Sequence, residues 1–248
     1  MDHPFGTDHL GRDVLARVAH GAVLSVGLAA AALVASAVMG GMVGFITGWS
    51  RRRGATVALC IADAWAAVPT VVIALVVTAV TGPGTTAVLI AVVAAGWASY
   101  ARLTHQLTQK VTHAPFIEAA SLLGAGATYQ LRHHVWPNVA RPVMAHALLG
   151  LPGALLTVAG LSYLGLGAQP PAPEWGAMLA EAQPYLERAP LAVVAPALAI
   201  VAAGWVAAAS GRSLESRSGP FTSGAARTRR CLRPFAHPPS PSPEGTPS

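Results

Sequence analysis

The chain has 248 residues, 53% of them hydrophobic and only 10% charged, where a soluble domain carries roughly 25% charged residues. So little polar surface excludes an ordinary soluble fold and points to a chain solvated by lipid. The net charge of +6 raises nucleic acid as a partner, but the basic residues lie between apolar runs and in the C-terminal tail, a pattern of membrane topology rather than of a binding face.

Residues 1–20 are polar and open on Pro, Gly and Asp turn signals, with a short helical stripe at Val14, Leu15 and Val18. They make a poor span, and Asp2, Asp8 and Asp13 leave no apolar core for a cleavable leader. Residues 21–49 carry no charge over 29 positions, more than the about 20 needed to cross a bilayer. Gly27, Ala31, Ala35, Gly40 and Gly44 recur along this run at spacings that let a neighbouring helix approach. Arg51, Arg52 and Arg53 follow it directly, a cytoplasmic marker.

Residues 54–82 are apolar again, interrupted by Asp63 and Pro69. A carboxylate inside an apolar run costs roughly 3 kcal/mol at the bilayer centre, so Asp63 is expected to face protein, water or the interface. Two readings stand: a residue lining a polar pathway between spans, or an interfacial anchor before a span that begins near Pro69, the second being preferred. The turn Gly82-Pro83-Gly84-Thr85 leads to a third span from 86 to 100, running on to Arg102, with Trp97 and Tyr100 suited to an interfacial belt.

A more polar segment at about 103–138 then separates two apolar runs. Behind Pro115 it predicts a short helix with Glu118 in its first turn and a stop at Gly124, where a side chain would be both strained and obstructive in a close turn. Gly126 serves as the N-cap of a second short helix over 129–136, and Pro137 marks the entry to the next run. The fourth span, 139–166, contains Pro142 and Pro152 and is expected to be bent or broken. The fifth covers 190–209, and residues 211–248, rich in Arg, Ser and Pro, are expected to be a disordered tail. The chain thus divides into an N-terminal segment (1–20), a membrane domain (21–210) and the tail.

Charge orients these spans. Arg51, Arg52, Arg53, Arg102, Lys110, Arg132, Arg141 and the six tail arginines fall on one side, thirteen in all, against Arg12, Arg17 and Arg188 on the other. That places the segment around Glu118 and the C-terminus in the cytoplasm.

The chemistry expected is sparse. No G-x-x-x-x-G-K-[ST] string occurs, so ATP has no P-loop here. Cys60 and Cys231, the two cysteines, support neither a disulfide framework nor a thiolate metal site. His105, His113, His133 and His134 cluster in the polar segment, but adjacent histidines point about 100° apart on a helix, and neither a metal nor any other cofactor is expected. An intramembrane hydrolase would need Ser162 and His146 to meet as nucleophile and base, which a broken span makes conceivable. A secondary transporter would need paired intramembrane charges, and only Asp63 qualifies.

Three strings carry a family resemblance. Glu118-Ala119-Ala120, then Gly124-Ala125 and later Pro137-Asn138, resembles the cytoplasmic EAA loop of bacterial ABC importer permeases. The string HPFGTDHLGRDVLARVAHGAVLS at 3–25, and Leu161-Ser162-Tyr163-Leu164-Gly165-Leu166-Gly167 with Gln169-Pro170-Pro171-Ala172-Pro173-Glu174-Trp175-Gly176, are similar to extracytoplasmic segments of the peptide/nickel subfamily. The resemblance implies an all-α polytopic bundle of about five transmembrane helices with the type I importer permease fold, in the bacterial plasma membrane. It also implies a non-enzymatic subunit that forms the path for peptides or nickel. The implied partners are a second permease in a heterodimer, two ATP-binding subunits, an extracytoplasmic solute-binding protein and lipid, with no nucleic acid. The coupling residues it implies are Glu118, Ala119, Ala120, Gly124, Ala125 and Pro137. Asp63 and Pro69 match the family's Asp, five residues, Pro pattern. In the family a further helix precedes the first string, so a downstream start assignment or a truncation is expected. The family's closing Gly-Asp and Leu-Arg-Asp pattern survives only as a trace at Ser210-Gly211-Arg212-Ser213-Leu214.

Overall fold

The computed structural model describes residues 5–50 and 53–217. Arg51 and Arg52, Cys231 and the tail from 218 onward, on which the cytoplasmic marker and the disordered end were expected, lie outside the described residues. Apart from one isolated bridge between Thr7 and Asp13, regular structure among the described residues is helical.

Helix α1 runs Val14–Trp49, about 54 Å at the usual rise. It starts earlier than the apolar run because Asp13 is its N-cap, accepting hydrogen bonds from the N–H groups of Leu15 (2.8 Å) and Ala16 (3.3 Å). Helices α2 (Arg53–Ala66) and α3 (Thr70–Thr81) replace the expected second span by a pair bent through 87°. Pro69 accounts for the break: it has no N–H to give, and it disfavours helical backbone at Val68. α4 (Thr85–Thr112) continues well past Arg102 and takes in the beginning of the polar segment. α5 (Pro115–Leu122) and α6 (Ala127–Gln130) follow, and a π-helical turn, Leu131–Val135, joins α6 to α7 (Trp136–Tyr163). α8 (Trp175–Ala182), a 3-10 turn at Gln183–Tyr185 and α9 (Pro190–Arg217) complete the chain. Among the described residues four helical stretches are long and apolar enough to cross a membrane, and five if α2 and α3 count as one.

The fourth span is not broken at its prolines: α7 is continuous through Pro142 and Pro152. Pro137 does not end the preceding helix either. The chain passes it by widening into the π-turn, in which the Trp136 N–H reaches the Leu131 carbonyl five residues back. The Asn138 side-chain amide donates to the His134 carbonyl at 2.6 Å, one turn earlier in the same stretch.

The close contact is between α1 and α4, along Ala29, Ala32, Ser36, Gly40, Gly44 and Gly48, all buried small residues of α1, whereas Gly21 and Ser25 nearer its start meet Pro173, Glu174 and Trp175. A Cβ on Gly40 or Gly44 would overlap the carbonyl oxygen of Trp97 or Ala101, so bare backbone faces bare backbone there. The expected small-residue row is half corrected by this register. Gly40 and Gly44 belong to the seam, but Gly27 and Ala31 face outward, because the step from Ala35 to Gly40 is five residues and leaves the face. Around the seam pack Ile73 and Ala74 of α3, Val88 and Ala91 of α4, and Leu155 and Val158 of α7. Large apolar residues crowd the outside, Val23 (80% exposed), Val80 (83%) and Trp205 (71%) among them, the inverse of a water-soluble protein.

Candidate functional site

One end of the bundle presents α5 and α6. Ile117, 6% exposed, is the residue by which α5 is held, packed with Val135 and Val139 against Phe45, Trp49, Leu107 and Val111. The far face of α5 is open. Leu122 and Leu123 are 89% and 88% exposed, and Phe116, Glu118 and Ala119 are exposed beside them.

Gly124 ends α5 with φ +82°. The Ala125 N–H bonds the Ala120 carbonyl at 3.0 Å and the Gly124 N–H bonds the Ser121 carbonyl at 3.0 Å, the two bonds of a Schellman motif. The turn is braced from α6, where the Gln130 amide donates both to Ser121 Oγ (3.0 Å) and to the Ala125 carbonyl (2.8 Å). A Cβ at Gly124 would meet nothing within 4 Å, so the expected obstruction is absent and the constraint on this residue is conformational alone. Glu118 lies in the first turn of α5 and makes no hydrogen bond or ion pair with any described residue. Ala119 is exposed, and Ala120, Ala125 and Pro137 are half-buried. Of the six positions expected to couple, Glu118, Ala119, Ala120, Gly124 and Ala125 lie on α5 and the turn that ends it, while Pro137 sits apart, at the start of α7.

Asp63 forms an ion pair with Arg102 of α4, and the side chains are about half exposed. Pro69 is the N-cap residue of α3. The four histidines of the polar segment are not brought together: His105 is buried, its Nδ1 3.1 Å from Thr47 Oγ1, His113 Nδ1 lies 2.8 Å from the Gln109 carbonyl, and His133 stacks on Tyr129. Ser162 and His146 lie on the same unbroken helix, sixteen residues apart, which puts about 24 Å between them along the axis and removes the nucleophile-base pairing.

The opposite end is closed by contacts that no local sequence signal marks. Glu174, fully buried, accepts hydrogen bonds from Ser25 Oγ (3.0 Å) and the Ala177 N–H (2.9 Å), capping α8, and Ser25 Oγ in turn accepts from the Trp175 N–H at 2.9 Å. Arg17 bridges Asp8 and Glu181, 2.9 Å from each, and Arg12 makes the same two pairings at 2.7 and 3.2 Å. Burial pushes the Asp8 carboxyl up, but bonds from the Arg12 and Leu10 N–H groups and the Arg12 guanidinium outweigh it and hold its pKa below the ordinary value.

With this geometry in place, the relatives are informative. The family model described as "Binding-protein-dependent transport system inner membrane component" matches residues 40–219. The chain is 37% identical over 196 residues to the di/tripeptide transport system permease protein DppC of Pseudomonas aeruginosa, covering 79% of this chain and 65% of that protein. It is 36% identical over 204 residues to the glutathione transport system permease protein GsiD of Escherichia coli, covering 81% and 66%. The match thus spans just under two thirds of the length of these relatives. Among solved structures, the fold is similar to the MetNI methionine ABC transporter in inward-facing conformations, with a TM-score of 0.66 at 15% identity over 82% of this chain and 95% of that one. An amino acid ABC transporter crystallised with histidines gives 0.63 at 18%, over 82% and 92%. The chain belongs to the family of inner-membrane components of binding-protein-dependent transport systems.

Proposed function

We propose that the chain forms part of an ATP-driven importer of short peptides, coupled to separate ATPase subunits through α5. The carrying observation is the exposed Leu122-Leu123 pair on a helix anchored by Ile117 and ended by a braced Gly124 turn. Two leucines almost wholly in water are costly unless a partner covers them. The rigid turn beneath them suits transmission of a displacement into α4 and α7. Glu118, at the positive end of α5, is free to meet a basic residue or an N–H group of that partner. Charge asymmetry supports a cytoplasmic position for this end. The partners of this reading are a second permease, two ATP-binding subunits and a solute-binding protein. Peptides are the favoured solute because DppC and GsiD are named for di/tripeptide and glutathione transport; nickel is the alternative within the subfamily. Asp63, held by Arg102, serves as an interfacial anchor.

The test is reconstitution of the complete importer in liposomes. ATP-dependent uptake of labelled dipeptide is expected, with no ATP hydrolysis by this chain alone. Hydrolysis by the isolated chain contradicts the coupling scheme, and uptake of nickel without dipeptide contradicts the solute assignment.

A further inference from the structure

A cavity of about 200 Å³ lies midway along the bundle, between α1, the start of α3, α4 and α7, and none of the contacts described so far uses it. Tyr100, Thr70, Ser36, Thr157 and Gly150 line it, and no acidic or basic residue does. Tyr100 is only 6% exposed, its ring meets His146 edge to face at 5.7 Å, and its hydroxyl has no hydrogen-bond partner among the described residues. That hydroxyl lies against Gly150, where a Cβ would come within 3.2 Å of it. Thr70 is the first residue of α3, whose N-cap, Pro69, supplies no side-chain acceptor. Neither the hydroxyl nor the N–H of Thr70 has a partner among the described residues.

The other two hydroxyls are already committed. Ser36 Oγ donates to the Ala32 carbonyl and Thr157 Oγ1 to the Gly153 carbonyl, each at 2.8 Å. What remains is an excess of donors, from Tyr100 and Thr70, beside the positive end of a helix, with no carboxylate in the lining. Discontinuous helices inside membrane bundles present such ends to anionic groups of a solute.

We infer that this cavity receives the C-terminal carboxylate of a passing peptide, with Tyr100 Oη and the Thr70 hydroxyl and N–H as its donors. This rests on the peptide reading of the preceding section. A carboxylate is the one anionic group that every unmodified peptide offers whatever its side chains, so a site for it positions peptides without selecting among them.

The experiment uses the importer complex of this chain, its partner permease and the ATPase subunits, purified without solute-binding protein. Equilibrium dialysis compares alanyl-alanine with its C-terminal amide. Tyr100→Phe removes only the hydroxyl. Gly150→Ala adds a methyl against it on a helix that tolerates alanine well. Each variant is expected to weaken binding of the free acid about tenfold, the effect of losing one hydrogen bond to a charged group, and to leave the amide unchanged. Equal binding of acid and amide by the unaltered complex, binding of neither, or acid binding untouched by both variants overturns the assignment. Uptake in liposomes, measured alongside with the solute-binding protein present, separates the two claims. Absence of alanyl-alanine uptake by the unaltered importer contradicts the peptide reading, whereas normal uptake with unaltered discrimination contradicts the cavity alone.

Discussion

Glu174 and Ser25 are 149 residues apart, yet the carboxylate and the hydroxyl meet at 3.0 Å in a fully buried contact. It ties α8 to α1. Glu174→Ala leaves Ser25 Oγ and the Ala177 N–H without this partner and removes the cap of α8, for a loss of about 2–4 kcal/mol. Ser25→Ala is expected to cost about 1 kcal/mol. Thermal melting of the purified protein in detergent checks the order; equal melting of Glu174→Ala and the unaltered protein contradicts it.

The α1–α4 seam makes a prediction about register. Gly44→Val puts side-chain carbon into the Ala101 carbonyl, which helix separation alone relieves, at about 1–3 kcal/mol or more. Gly27→Val, where a Cβ meets nothing within 4 Å, is expected to stay within about 0.5 kcal/mol. Melting of the two variants side by side reads the difference.

Asp8 supplies a pH dependence at the other end. Its folded pKa is depressed, so it binds fewer protons folded than unfolded, and the stability it contributes is present above the ordinary value of 3.8 and lost as pH falls through the folded one. The amides of Leu10 and Arg12 donate to its carboxylate at 2.9 Å. Their hydrogen-exchange protection, corrected for intrinsic rates, is expected to be flat from neutral pH down to about 5 and to collapse below about 4. Asp8→Asn should abolish that dependence.

Much of the architecture was legible in the apolar runs, because a segment solvated by lipid must satisfy its own backbone and length alone identifies it. The α5 turn was legible for a local reason: Pro115, Glu118 and Gly124 each announce one position of a short helix. What escaped were pairings across long sequence distances, such as Ser25 with Glu174 and Arg17 with Glu181. Polar side chains there carry no periodicity that names a partner. The continuity of α7 escaped too, since Pro137 read as the entry to a new run and Pro142 and Pro152 as bends or breaks within the span, until the π-turn and neighbouring helices absorb them. Tyr100 read as an interfacial aromatic, and only the packing of α1, α3 and α7 around it turns its hydroxyl toward a cavity.

At Gly124 the positive φ and the open space predict a graded series. Asn, which tolerates left-handed backbone, should cost a few tenths of a kcal/mol and Ala about 1 kcal/mol. Asp adds a charge to the exposed face. Transport by the complete importer, at equal membrane expression, is expected to fall in the order Gly, Asn, Ala, Asp. A series in which Ala is as harmful as Asp would place the constraint on space and contradict the conformational account.

The central claim is that the exposed face of α5 docks on an ATPase subunit. Its most direct measurement is co-purification of the ATPase subunits with tagged Leu122→Ser/Leu123→Ser, compared with Ile117→Ala, which loosens the anchor and leaves the face intact. The account predicts that the serine pair lowers recovery of the ATPase at least tenfold, with the permease still in the membrane and its melting unchanged, because two buried leucines at an interface contribute about 3 kcal/mol or more. Full recovery of the ATPase with the serine pair would contradict it.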